Sequence, residues 1–346
     1  MRRLTFLGCL ALVSLVLALA GCGSAEELPP PAEPAESPPL AEEPLGRVIA
    51  VGNQPEGLAA DPETGLVAVG LREPDLLALV DGSTGKVERE VELEESPRHL
   101  QLAAPGGPVL VPAERADALI EVSLPDGDVE TTTPVGNFPH DATASGERAF
   151  VANEFGDSVS VVEDGRVVET LPAPVQPGGI AAISGATTMI EDDRVGVVAV
   201  RGNALRVYDA STLETIGEVG AGAGPTHVVA DPVEERFWVA DTRGDAVLFT
   251  AKTEELQLVD RVNTPGSPYG IALDPRARRL WVTLTATNEV AEIDLTLKNP
   301  AIINKYPTVR QPNSVAVDSS TGRVFVAGAA EGELQIIDPS DRRSAE

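Results

Sequence analysis

Three histidines, His99, His140 and His227, make up the chain's whole complement of imidazoles, and all three stand just after a proline. His99 and His227 follow Pro97 and Pro225 by two residues, and His140 follows Pro139 directly. Imidazole exchanges protons near neutral pH and binds transition metals as the neutral ring. Three rings in one register could therefore form a divalent-metal site or an acid–base set. A second polar group stands one strand after Pro55, Pro97, Pro139, Pro177, Pro225 and Pro268. It comprises Arg72, Glu73, Glu114, Arg115, Asn153, Glu154, Arg201, Asn203, Asp241, Arg243 and Asn288. Acids, amides and imidazoles of this kind could hold Ca²⁺ or a hydrated cation. A lactone could be opened with His140 or Glu154 as base and Arg201 or Arg243 binding the carboxylate. The plainer alternative makes each imidazole a local hydrogen-bonding residue and the rest a solvated rim, and the residues by themselves favour it.

The elements that must carry these side chains can be counted. The best copy of the unit is Pro268 to Asp294, with apolar runs at Ile271–Leu273, Leu280–Val282 and Val290–Ile293, separated by Asp274-Pro275 and a polar loop. Runs of four or five residues bounded by turn chemistry predict strands. The anchoring proline recurs at 55, 97, 139, 177, 225, 268 and 312, spaced by 42, 42, 38, 48, 43 and 44 residues. Seven units with a period near 43 and four short strands each predict an all-β, seven-bladed β-propeller. Asp61, Asp231, Asp274 and Asp318 sit where Asx-type turns should follow the first strand of a unit. The long gap carries an insertion near residues 184–193. The seventh unit stops after a third strand at 334–338, while Arg47–Val51 has no unit of its own. The N-terminal strand is therefore expected to complete the last blade, because an open ring would leave a strand edge bare. The three histidines fall in blades two, three and five, which are not all adjacent. Trp238, Trp281 and Phe325 each lie 13 residues after their anchors, a shared register that predicts packing between blades.

Composition narrows the partners. The formal charge is −28, from 54 acidic and 26 basic residues, so no nucleic acid partner is expected. The two cysteines, Cys9 and Cys22, are both N-terminal, so the body has no disulfide framework. Arg2 and Arg3 precede an apolar run from Leu4 to Ala20, the pattern of a secretory signal. Its end, Leu19-Ala20-Gly21-Cys22, resembles the lipobox of bacterial lipoproteins, which implies a signal peptide over 1–21 and a lipidated Cys22. Residues 22–45 are rich in Pro, Glu and Ala and predict a disordered, semi-extended tether. The propeller spans 46–340, followed by a C-terminal tail at 341–346.

The anchor Val-Gly-x-x-Pro, the strand Val151-Ala152-Asn153 and the run Asp157-Ser158-Val159-Ser160-Val161-Val162 resemble the YVTN-type β-propeller family across nearly all of 46–340. The family includes secreted and surface proteins without known catalysis, while the broader fold carries lactonases. No haem-attachment, P-loop or Gly-x-Ser-x-Gly motif is present. The resulting expectation is a monomeric, extracytoplasmic binding or scaffold module, attached to a bacterial membrane through its lipid alone. It would bind a cell-envelope protein or a small ligand on the anchor-loop face, at a channel mouth formed by His99, His140, His227, Asn153, Glu154, Arg201, Asp241 and Arg243. No cofactor is predicted, and a divalent metal is compatible with the histidines. A lactonase-like hydrolase and a metal-binding accessory protein of the cell envelope are the alternatives.

Overall fold

A computed structural model describes residues 28–184, 193–250 and 256–345. The signal peptide over 1–21, Cys22 and most of the expected insertion lie outside the described residues. The strands form seven antiparallel four-stranded sheets. Each is a blade whose innermost strand starts at an anchor proline or close to it. These strands are Asn53–Ala60, Gln101–Leu102, Pro139–Ser145, Pro177–Ile183, Pro225–Asp231, Pro268–Asp274 and Pro312–Asp318. The seventh blade takes its outer strand from Arg47–Ala50, with Val48 opposite Gln335 and Ile49 opposite Leu334. The ring is closed as expected.

Alternation along each strand explains why the runs are apolar throughout. In blade three, Phe150 and Ala152 pack toward blade four, while Ala149 and Val151 pack toward blade two. A strand buried on both faces needs no polar side. The core is accordingly seven apolar layers, one at each junction between neighbouring blades. Trp238, Trp281 and Phe325 are each 1% exposed and fill the five–six, six–seven and seven–one layers respectively.

Two polar devices fix the loops. Asp61, Asp231, Asp274 and Asp318 are buried and accept backbone N–H groups two or three residues ahead. On the other face, Asp117, Asp157, Asp245 and Asn288 adopt left-handed conformations. Their side chains accept the N–H of Phe138, Gln176, Ser267 and Gln311, the residues just before the next blade's anchor proline. Blades two, three, five and six thereby each hold the entry of their successor.

The expected free tether is corrected for residues 28–45, which lie along the anchor-loop rim of blades four to seven. Arg201 donates to the Leu28 carbonyl and Arg243 to Pro30. Ala35 bonds Thr285 and Gln311, Ser37 bonds Thr285 and Gln311, and Asn288 donates to Pro38. Ala32 and Ser37 are buried. An extended proline-rich segment leaves its carbonyls and its few N–H groups unpaired, and the rim supplies donors to the carbonyls and acceptors for Ala35 N and Ser37 N, which composition alone does not reveal. The C-terminal residues form a short helix, Pro339–Ala345, which sets Arg342 over the Trp281 ring at 4.8 Å.

Candidate functional site

The inner strands bulge just after their anchors, between Pro139 and Asp141 and between Pro225 and His227. A bulge re-aims the side chains that follow it. Blade two reaches the same end differently, because its inner strand is short and the His99 N–H bonds the His140 carbonyl of blade three instead. The three imidazoles consequently meet at the axis of the ring. His99 stacks on His140 with centroids 4.8 Å apart, and meets His227 edge-on at 4.4 Å. The Nε2 atoms of His99 and His227 are 3.2 Å apart, so one ring donates to the other. Non-adjacent blades are no obstacle, because His99 of blade two and His227 of blade five meet directly. The purely local role expected of the histidines is corrected on that ground.

Around them lies a polar plug at the anchor-face end of the channel. His227 contacts the Tyr269 ring at 4.6 Å. His140 Nδ1 lies 2.9 Å from Glu154, whose other oxygen accepts from Gln176 at 2.7 Å. Glu114, buried, bridges Arg72 at 2.8 Å and Arg98 at 3.2 Å. Burial and the neighbouring His227, His140 and Arg98 hold the His99 ring well below its ordinary pKa. Burial, with His140 and Arg98, lowers His227 to about 3. Both rings are therefore neutral at physiological pH. Burial alone would raise Glu154, but its bond and charge pairing with His140, aided by Gln176 and Arg98, bring it below the usual carboxylate value. Burial raises Tyr269, so its phenol keeps its proton.

Beneath the plug the channel widens into a cavity of about 400 Å³, lined from His99 and His227 down to Ala60, Ala182, Ala230 and Val317 beside the Asp turns. Its walls are Ala, Val, Leu and Ile, with Gln101, Asp141 and Thr143 as the main polar exceptions. Asp141 accepts from Gln101 Nε2, Ala142 N and Ile180 N, and burial nevertheless raises its carboxyl to about 7. Gln101 Nε2 also donates to the Ile180 carbonyl at 2.6 Å. Both amide hydrogens are thus committed, and the amide oxygen is left as an acceptor for the channel.

The sequence-derived set is only partly assembled here. His99, His140, His227 and Glu154 come together. Asn153 is buried against Ser158 and Ser160, and Asp241 caps the backbone of Ala223, Gly224 and Gly244, so both serve their own loops. Arg201 and Arg243 hold the N-terminal segment at the rim. The lactone-opening arrangement is therefore not formed, since neither arginine reaches His140 or Glu154. The stacked His99 and His140 rings face one another instead of converging on an ion. No group of three His, Cys, Asp or Glu among the described residues is placed to hold one metal. The expected mouth is also corrected: the anchor end is filled, and the cavity extends toward the opposite, Asp-turn face. Sequence reasoning missed Arg98, Gln101, Asp141 and Tyr269. A usable signal was their position within four residues of an anchor proline.

No family model matches the sequence, and no curated protein matches it. Solved structures do share its shape. A chain of Kuenenia stuttgartiensis hydrazine synthase superposes with a TM-score of 0.72 at 16% identity, over 84% of this chain and 97% of that one. A chain of the mitotic checkpoint complex gives 0.71 at 14% identity, over 94% and 99%. Streptogramin B lyase gives 0.67 at 16% identity, over 85% and 96%. With 1482 solved chains alike, the similarity identifies an architecture and no activity.

Proposed function

We propose that this chain is a binding module of the YVTN type, held outside a bacterial cytoplasmic compartment by lipid on Cys22, that takes a small amphipathic ligand into its central channel. The observation that carries this reading is the cavity of about 400 Å³, whose aliphatic side chains alternate with polar groups and exposed backbone. That volume lies in the range of small-molecule sites, and the mixed lining suits a ligand with both apolar and hydrogen-bonding groups. The Gln101 amide oxygen and the neutral His99–His227 pair would receive a hydroxyl or amine of the ligand. The test is a thermal-shift screen of such compounds, followed by titration of Ala182→Phe, which places a phenyl ring in the channel. Binding should weaken at least about tenfold, or ~1.4 kcal/mol. A ligand that binds Ala182→Phe as well as the wild type would remove the channel from consideration. For the anchor, Cys22→Ser should abolish acyl incorporation in cells, and acylation that persists would show that the lipid is elsewhere.

A further inference from the structure

We infer that the anchor-loop face between blades three and four is a membrane-contacting surface, seated on the bilayer beside the lipidated Cys22; this rests on the lipid-anchor reading above. Two independent observations lead to it. The first is how the segment following Cys22 is fastened to the ring. Leu28 is fastened to the blade-four rim by Arg201. Only five residues lie between it and Cys22, and six steps of about 3.3–3.6 Å reach no further than ~22 Å. A free tether over 22–45 would have let the propeller tumble well away from the bilayer. The docked segment removes that freedom and fixes which face is near.

The second observation is what surrounds Leu28. Phe155 is 56% exposed, and no other phenylalanine, tyrosine or tryptophan is prominent on the surface of the described residues. Its ring packs on half-buried Phe138 with centroids 4.6 Å apart. Val175, 39% exposed, extends the patch toward blade four, where its carbonyl accepts from Gly202 next to Arg201. Leu28 itself is 41% exposed. Phe155 with Phe138, Val175 and Leu28 thus place exposed apolar groups along the blade three–four stretch of the anchor-loop rim, where the segment that follows Cys22 is fastened. Among the other exposed aliphatics, Leu40 lies farther along the same rim, two residues beyond Pro38, while Val129, Val233, Val259 and Ile303 are spread over outer strands and the opposite turns. Aromatic rings are favoured at the headgroup boundary. The −28 charge gives no attraction to anionic lipid, so these groups act only once the anchor has brought them to the surface. Seated this way, the protein turns the Asp-turn face, and the cavity's open end, away from the membrane.

The orientation can be read without relying on cellular lipidation. All the described contacts are made from Leu28 onward, so a chain beginning at residue 22 retains them, and Cys22 is then its sole thiol. That thiol is coupled to a maleimide lipid in phosphatidylcholine vesicles, with and without brominated acyl chains. Phe155→Trp should be quenched at least about twofold, as for a ring ~5–10 Å into the headgroup–acyl boundary. Val233→Trp, on a turn of the opposite face, should keep its emission. Equal emission from Phe155→Trp in both vesicle types, or equal quenching of the two variants, overturns the inference. The mass of the Cys22 peptide from cells decides separately whether the natural anchor is there.

Discussion

His227 sits where burial and titration act on one another. Its folded-state pKa lies at about 3, against an ordinary 6.5. Between those values the unfolded chain takes a proton that the folded chain refuses. The stability associated with the neutral ring is complete above 6.5 and is lost as pH falls toward 3. Asp141 acts with the opposite sign. Burial raises its carboxyl to about 7 from 3.8, so its contribution is complete below 3.8 and is lost as pH rises through 7. His227→Phe separates the two, since it keeps the ring contacts but cannot protonate. Its melting temperature should start lower, for want of the bond to His99, yet fall less steeply than the wild type's between about pH 7 and 5. Parallel curves would place the titration elsewhere. Gln101→Leu tests the other arm. It strips Asp141 of its side-chain donor and leaves the Ile180 carbonyl unpaired, at a cost of about 1–3 kcal/mol in denaturant unfolding. Unchanged stability would mean that the amide is dispensable. The register of the histidines could be read from proline spacing. Their meeting could not, because ring contact across the axis depends on bulge geometry and channel width, and no local pattern encodes these.

Strands and turns were more legible, since each is specified by a few adjacent residues. Leu280-Trp281-Val282 can scarcely be other than a buried strand, and Asp274-Pro275 scarcely other than its turn. Arg47–Ala50 was legible by subtraction, from a last unit short of one strand. Deleting residues 47–51 should expose the edge of Glu333–Ile337 and remove Val48, Ile49 and Val51 from two core layers. Several kcal/mol should be lost, at ~25 cal/mol per Å² of apolar surface. Deleting 28–43 should also destabilise, by about 1–3 kcal/mol, because it releases several side-chain-to-backbone bonds at the rim. A melting temperature untouched by that second deletion would mean that the docked segment is held too weakly to matter. The docking escaped the sequence because proline-rich strands offer carbonyls rather than side chains, and their donors lie 170 to 280 residues away. Asp157→Gly addresses the blade-to-blade latch. Glycine tolerates the positive φ of 45°, so what remains is the lost bond to Gln176, about 0.5–1.5 kcal/mol.

At the scale of the whole ring, the same closure that removes strand edges also gathers an excess of negative charge on a rigid body. The sequence carries 54 acidic and 26 basic residues. Some acids are neutralised locally, as in Arg206–Glu218, Arg279–Asp294 and Arg323–Asp338. Others, such as Glu90 and Glu92 on the outer strand of blade one, face solvent unpaired. Salt acts on both populations with opposite signs. It screens the pairs, each worth only about 0–1 kcal/mol at the surface, and so would lower stability. It also screens the repulsion among uncompensated acids, which the compact state concentrates and the unfolded chain relieves. With a net −28 the second effect should dominate. The melting temperature should therefore rise as NaCl goes from about 0.01 to 0.2 M and level off beyond, where the screening length has shrunk from ~30 to below ~8 Å. A steady fall over the same range would mean that the surface pairs, and not the net charge, set the electrostatic balance of the ring.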